Sequence, residues 1–250
     1  MNLIIVQPQE ISGDELILTD RRARHIHKVL RCRPGDNLRV GVLNGPMGTG
    51  RIVSMARGGV CLCLSLEKAP PPLPALDLIL ALPRPVMLKR ILVQAVTIGV
   101  NHIYLINASR VEKSFFSSTL IAEDGWREFL LKGLEQAVDT RMPGLSVHHR
   151  FRPFIEDVLP PLLARRGGGR IVAHPGGGSV IHAEGGKRAF LAVGPEGGWV
   201  DFEIEKFQAA GFAVFSPGPR IMRVDTAVPA LMAQVNMALA PAEAGGHPSG

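Results

Sequence analysis

The run KAPPPLPAL at Lys68–Leu76 separates two stretches of chain whose apolar residues recur with different rhythms. Four of its nine residues are proline. Proline lacks an amide donor and fixes φ, so this run extends neither a helix nor a sheet ladder and reads as a linker. Upstream, the short apolar runs LIIV, ELILT, LRVGVLNGPMGTG, RIVSM and VCLCLSL alternate with turn signals, the rhythm of a small β domain. Downstream, LDLILAL (76–82) is followed by a helix from Pro85 to Ile98 that Gly99 stops, then by HIYLINA (102–108). Further helices are expected over 124–138, 154–164 and 226–239, with LSVHHR, GRIVAHP, FLAVGPEGG and FAVFSPG as strands. The expectation is an α/β domain with a mostly parallel sheet over 77–240. It is preceded by a β domain over 1–68 and the linker 69–76, and followed by a disordered tail over 241–250. Glycine density makes Arg165–Arg170 and Pro175–Gly186 loops.

With 250 residues the chain can bury a substantial core without disulfides. Cys32, Cys61 and Cys63 make no metal-type spacing with the histidines, so no metal site is expected and the thiols read as core residues of a reducing compartment. The opening MNLIIVQPQE lacks a secretory signal's basic start and no run reaches membrane-spanning length, which predicts a cytoplasmic protein with no membrane partner. A net charge of +6 favours a polyanionic partner, and its placement sharpens the point. RRARHIHKVLRCR (21–33) carries six Arg or Lys and two His with no acid. Helical spacing puts Ala23, Ile26, Val29 and Leu30 on one face and Arg21, Arg24, Lys28 and Arg31 on another. Most charge runs are solvated faces, but here repulsion goes uncompensated within the segment, so Arg21, Arg22, Arg24, Lys28 and Arg31 are the candidate nucleic-acid-binding residues.

Two closing turns each follow an apolar run: GPEGGW (194–199) and SPGPRIMRVDTA (216–227). The first could be any tight turn, yet Gly197 and Gly198 also let backbone approach a ligand, and Glu196 offers one fixed carboxylate. Neither the dinucleotide nor the phosphate-loop glycine pattern is present. In the second, Asp225 or Thr226 would cap the final helix. A third element, IVAHPGGG (171–178), also ends an apolar run beside glycines, and strand ends of this kind form ligand pockets in open α/β sheets.

Taken in order, His174-Pro175, GPEGGW and GPRIMRVDTA resemble the RsmE family of 16S ribosomal RNA methyltransferases, within the SPOUT superfamily. The resemblance extends to the N-terminal RRARHIHKVLRCRPGDNLRVGVLNG, which is similar to that family's PUA-like barrel. It implies a small PUA-like β-barrel followed by a trefoil-knotted parallel-sheet domain, an exception to the usual absence of knots. It also implies a homodimer that binds S-adenosyl-L-methionine and acts on 16S rRNA or the small ribosomal subunit. By that match the cofactor-binding residues are His174, Gly194, Glu196, Gly197, Gly198, Ser216, Gly218, Ile221 and Met222. Where the family has Ser or Thr after the aromatic of its GPEGG motif this chain has Val200, so Asp201 is expected to cap the next helix.

The implied reaction is methyl transfer to N3 of a uridine in the decoding region. The candidate catalytic residues are Arg223, which would hold developing negative charge or the adjacent phosphate, Arg110, its alternate, and Glu196, which would either take part in removing the N3 proton or orient its loop. Two other readings accompany this one: a knotted methyltransferase for another rRNA or tRNA nucleotide, and a catalytically silent RNA-binding assembly factor of the same fold.

Overall fold

The computed structural model describes residues 2–56, 58–178 and 188–240, and the expected tail 241–250 and most of the Pro175–Gly186 loop lie outside them. Two compact units result, one formed by Met1–Leu73 with Arg127–Met142, the other by Pro74–Trp126 with Pro143–Gly250.

The N-terminal unit is a six-stranded sheet built from β1 (Ile4–Val6), β2 (Ile11–Ser12), β3 (Glu15–Leu18), β4 (Asn37–Val42), β5 (Met47–Ala56) and β6 (Gly59–Lys68). Its strand order is β1-β4-β5-β6-β3-β2, with β1 parallel to β4 and the other pairs antiparallel. Alternation does the burying: in β3, Leu16 and Leu18 are inside while Glu15 and Ile17 face out. Between β3 and β4 lie α1 (Arg21–His25) and one wide π turn, Ile26–Leu30, ended by Arg31 in the left-handed region at φ 54°. Ala23 and Ile26 enter the core as expected, but the wide turn rotates Val29 and Leu30 into solvent. The thiols also depart from the core reading: Cys63 is exposed, while Cys32 and Cys61 are half-buried.

A helix from the middle of the sequence completes this unit. After α3 (Thr119–Ala122) of the second unit comes α4 (Arg127–Ala137), shorter than expected because Asp124 and Val138 adopt positive φ and mark its limits. Glu135, buried near the end of α4, takes Arg21 in a two-pronged ion pair, and its carbonyl accepts from the Asn2 and Leu3 amides. Beyond it, Thr140 is fully buried, donates to the Gly45 carbonyl at 2.7 Å, and occupies the space where any side chain at position 41 would sit. Only glycine at 41 leaves that room.

The C-terminal unit carries β7 (Leu76–Ala81), α2 (Pro85–Ile98), β8 (His102–Ile106), β9 (Gly144–His148) and α5 (Phe151–Pro153). A π turn at Phe154–Val158 joins α5 to α6 (Leu159–Arg166), and β10 (Gly169–Gly178), β11 (Ala189–Val193), α7 (Asp201–Ala209), β12 (Ala213–Phe215) and α8 (Val224–Leu239) follow. The sheet is wholly parallel in the order β12-β10-β11-β7-β8-β9. The central strands β7 and β11 are buried at every position, as parallel strands covered on both faces must be. Leu88, Ile91 and Leu92 of α2 are fully buried, as are Val228, Met232 and Val235 of α8; on another part of the unit Trp199, Phe207 and Phe212 pack edge to face. At the start of β7, Asp77 is fully buried but answered by Asn101, Arg166 and Arg188, so the charge has partners.

Candidate active site at the strand ends

The ligand-facing loops all leave the carboxyl ends of strands in the C-terminal unit. β10 pairs with β12 up to Ala173 opposite Phe215, loses register over His174–Gly177, and returns at Gly178 opposite the same Phe215. Pro175–Gly178, expected in a loop, instead belong to the strand as an excursion from its ladder. Gly177 is required there: a Cβ would sit 2.8 Å from the backbone of Val214 and Phe215. The turn after β11 closes through Gly198 N–H to the Pro195 carbonyl at 2.8 Å, with Gly198 at φ 74°. The turn after β12 is tied by the Ser216 amide to Gly178 and by the Ser216 hydroxyl to the Gly218 carbonyl.

Between these loops is a cavity of about 320 Å³. His174, Gly194, Glu196, Gly197, Gly198, Ser216, Gly218, Ile221 and Met222 all line it, so every residue expected to touch the cofactor is brought to one place. His174 Nδ1 and Trp199 Nε1, both from residues in the cavity wall, are buried without a hydrogen-bond partner. Buried polar atoms are seldom left unpaired, so their place in a cavity wall fits a ligand with polar edges. The glycine-lined wall fits a ligand held by main-chain groups, as a bent adenosyl compound would be.

The candidate catalytic residues occupy three settings. Glu196 lines the cavity and accepts from the Arg84 amide at 3.2 Å, at the N-terminus of α2, where the helix dipole favours an anion. Arg110 donates to the Gly197 carbonyl and its methylenes pack where a Gly197 side chain would be, making it a brace for the GPEGG turn. Arg223 stands outside the 320 Å³ cavity on the wall of an adjoining one, three-quarters exposed and 3.7 Å from Asp225. It also occupies the N-cap position of α8, which has no side-chain cap; neither Asp225 nor Thr226 takes that role.

Sequence reasoning overlooked Glu203. Fully buried in α7, its carboxylate accepts from the Ser109 amide at 2.7 Å through one oxygen and from the Val200 amide at 3.0 Å through the other. It thus joins the loop that carries Arg110 to the turn that Arg110 braces. It also caps α7, correcting the expectation for Asp201, which is the first helical residue. The signal was a glutamate three residues after the cap position, half of a capping box whose Ser/Thr half is Val200.

The basic helix of the N-terminal unit is less bare than its sequence. Arg22 is 11% exposed and forks onto Glu10 and Asp20, while Arg21 is bound to Glu135. Glu10 and Glu135 from other segments, and the cap residue Asp20 just before the helix, compensate charge that the segment itself does not. Arg24, Lys28 and Arg31 remain exposed with no ion pair among the described residues. No helix among the described residues is long and apolar enough to cross a membrane, and no cluster of His, Cys, Asp or Glu among them could hold a metal ion.

A parallel sheet whose strand-end loops enclose a backbone-lined cavity is the arrangement in which open α/β domains bind ligands, and a small β unit accompanies it in this chain. The RNA methyltransferase domain family matches residues 69–236, and the RNA methyltransferase PUA domain family matches residues 18–62. The chain belongs to the RNA methyltransferase family. It is 29% identical over 241 residues to the ribosomal RNA small subunit methyltransferase E of Treponema pallidum, covering 94% of this chain and 90% of that one. To the Synechocystis protein of the same name it is 27% identical, covering 94% and 77%. The fold matches the S-adenosyl methionine-bound ribosomal RNA small subunit methyltransferase E of Neisseria gonorrhoeae with a TM-score of 0.74 at 22% identity, over 95% of this chain and 97% of the other.

Proposed function

We propose that this protein is an S-adenosyl-L-methionine-dependent rRNA methyltransferase that methylates N3 of a uridine in the decoding region of 16S rRNA, acting as a homodimer. The observation that carries the reading is the convergence of His174, the GPEGG turn and the Ser216–Met222 turn on one cavity with unpaired polar atoms in its wall. The relatives' shared name and the cofactor in the Neisseria structure support it.

Bound in that cavity, the cofactor would supply an electrophilic methyl group on its sulfonium. The chain's own residues must do the rest. The imino proton of a uridine leaves N3 only weakly near neutral pH, so a base must take it as the N3–methyl bond forms. Glu196 is the carboxylate at the cavity and would accept that proton, while the Arg84 amide fixes its position. Arg223, three-quarters exposed beside Asp225, would answer the negative charge that develops on the base. Arg110 and Glu203 would act by holding the GPEGG turn rather than by touching the base. In the N-terminal unit, Arg24, Lys28 and Arg31 would meet RNA phosphates, with Arg21 adding its exposed part.

The test is rRNA from a strain deleted for the gene, digested to nucleosides and analysed by mass spectrometry. Loss of N3-methyluridine, restored by the wild-type gene, is expected; unchanged rRNA would end the assignment. Calorimetry with S-adenosylmethionine together with a methyl-transfer assay separates this reading from a silent assembly factor, which would fail to bind the cofactor or would transfer no methyl.

A further inference from the structure

A second cavity, about 780 Å³, abuts the first and shares Pro195, Glu196, Ile221, Met222 and Val224 with it. Its remaining wall includes Arg84, Met87, Phe115 and Arg223. Phe115 and Phe116 sit side by side in one tight turn, Lys113–Ser117, but are used differently. The Phe116 ring lies 4.8 Å from that of His149, whereas Phe115 has no ring partner among the described residues and lines the cavity half-buried. An aromatic face kept from the core beside apolar Met87 and Met222 suits a flat ring. Arg84 is exposed and makes no ion pair among the described residues, and Arg223 is three-quarters exposed. The Arg84 amide engages one oxygen of Glu196, leaving the other for a donor in the cavity. A carboxylate only accepts, so it complements a base edge that bears an imino N–H.

An aromatic face, two cations and an acceptor facing a cofactor-sized cavity are the contacts a single extruded nucleotide needs, since a base cannot be alkylated at its pairing edge while stacked and paired. We propose that this second cavity receives one RNA nucleobase turned out of its strand, stacked on Phe115, with a flanking phosphate met by Arg84. The proposal rests on the methyltransferase reading above and adds the seat of the acceptor base. It makes Phe115 a substrate-binding residue and Arg84 a bifunctional one, whose amide fixes Glu196 while its side chain faces RNA.

Transfer of tritiated methyl groups to small subunits from the deletion strain tests it. Phe115→Ala should lower kcat/KM for the subunit by roughly 5- to 150-fold, the range for loss of one base–aromatic stack. S-adenosylmethionine affinity by calorimetry should stay within about twofold, since Phe115 lies outside the first cavity. Phe115→Tyr should recover most of the loss. Arg84→Ala, which keeps the amide to Glu196, should raise KM for the subunit and flatten its salt dependence by about one phosphate contact. Unchanged kcat/KM in both alanine variants would overturn the proposal, as would a Phe115→Ala defect that Tyr does not repair or that matches a loss of cofactor affinity. If instead the wild type neither binds the cofactor nor transfers methyl, the functional reading itself fails.

Discussion

The strand-end loops of the C-terminal unit and the basic helix of the N-terminal unit both carry polar groups in excess of what their own segments can satisfy. They resolve much of that excess in opposite ways, although His25 Nε2 in the basic helix is also buried without a hydrogen-bond partner and Arg24, Lys28 and Arg31 stay unpaired among the described residues. In the basic helix, Glu10 and Glu135 from other elements, together with the helix's own cap residue Asp20, take up Arg22 and Arg21. At the loops, His174 Nδ1 and Trp199 Nε1 stay unpaired in a cavity wall and Arg223 extends into solvent. Charge in a sequence is therefore a poor guide until the fold has matched its acids to its bases. Unspent hydrogen-bonding capacity beside a cavity is the better sign of a ligand.

The comparison breaks if the loop residues prove structural or the buried arginines prove functional. The largest expected effect is at Arg223: Arg223→Ala should cut methyl transfer by roughly 10²-fold, the cost of one charge-stabilising donor, with cofactor affinity little changed. Equal turnover in single-turnover assays would remove Arg223 from the chemistry. Next comes Arg22→Met, which should destabilise the N-terminal unit by about 2 kcal/mol by stranding hydrogen-bonded carboxylates, measured by urea unfolding. A variant that folds as well as wild type but loses RNA affinity would return Arg22 to the RNA surface. Glu203→Gln follows. Its amide can accept at only one of the two sites, so one of the Ser109 and Val200 amides is opposed by a donor, and cofactor affinity should fall by roughly tenfold, about 1.4 kcal/mol. In a double-mutant cycle with Arg110→Ala the losses should be less than additive, because both hold the same turn. Additive losses would mean Glu203 only caps α7.

How far the sequence could be read follows the same division. Turns at strand ends are local, so His174, GPEGGW and the Ser216–Met222 turn could be picked out without coordinates. The helix over Pro85–Ile98 was equally plain, with proline opening it and Gly99, at φ 104°, closing it. Partnerships across the chain were not legible. That α4 packs with the N-terminal unit depends on Glu135 meeting Arg21 and on Thr140 filling the space above Gly41, neither of which any spacing reveals. Arg110 was marked by resemblance, but its contact with Gly197 spans 87 residues of sequence. The outward turn of Val29 and Leu30 escaped because helical spacing assumes 3.6 residues per turn, and the π turn there is wider.

The smallest expected effect is the pH response of the Arg22 cluster. The Arg22 hydrogen bond is the main reason the Glu10 carboxyl titrates below the ordinary glutamate range, partly opposed by burial. Burial pulls Asp20 upward, but hydrogen bonds from the Arg22 side chain and amide outweigh it and leave Asp20 lowered as well. A carboxyl with a depressed folded pKa contributes stability that is complete above its unfolded value, about 4 for these groups, and disappears as pH falls through the folded value. Thermal unfolding of the wild-type protein should therefore lose Tm through this cluster as pH falls below about 4 and through the lowered folded values, with no such change between about pH 6 and 8. Other carboxylates titrate in the same window, so the comparison that matters is with Arg22→Met. Without the guanidinium, Glu10 and Asp20 return toward their unfolded values and the variant should show a shallower acid slope than the wild type. Parallel slopes would mean that the ion pairs, though formed, contribute nothing to stability, and the contrast between spent and unspent charge would lose its energetic basis in the N-terminal unit.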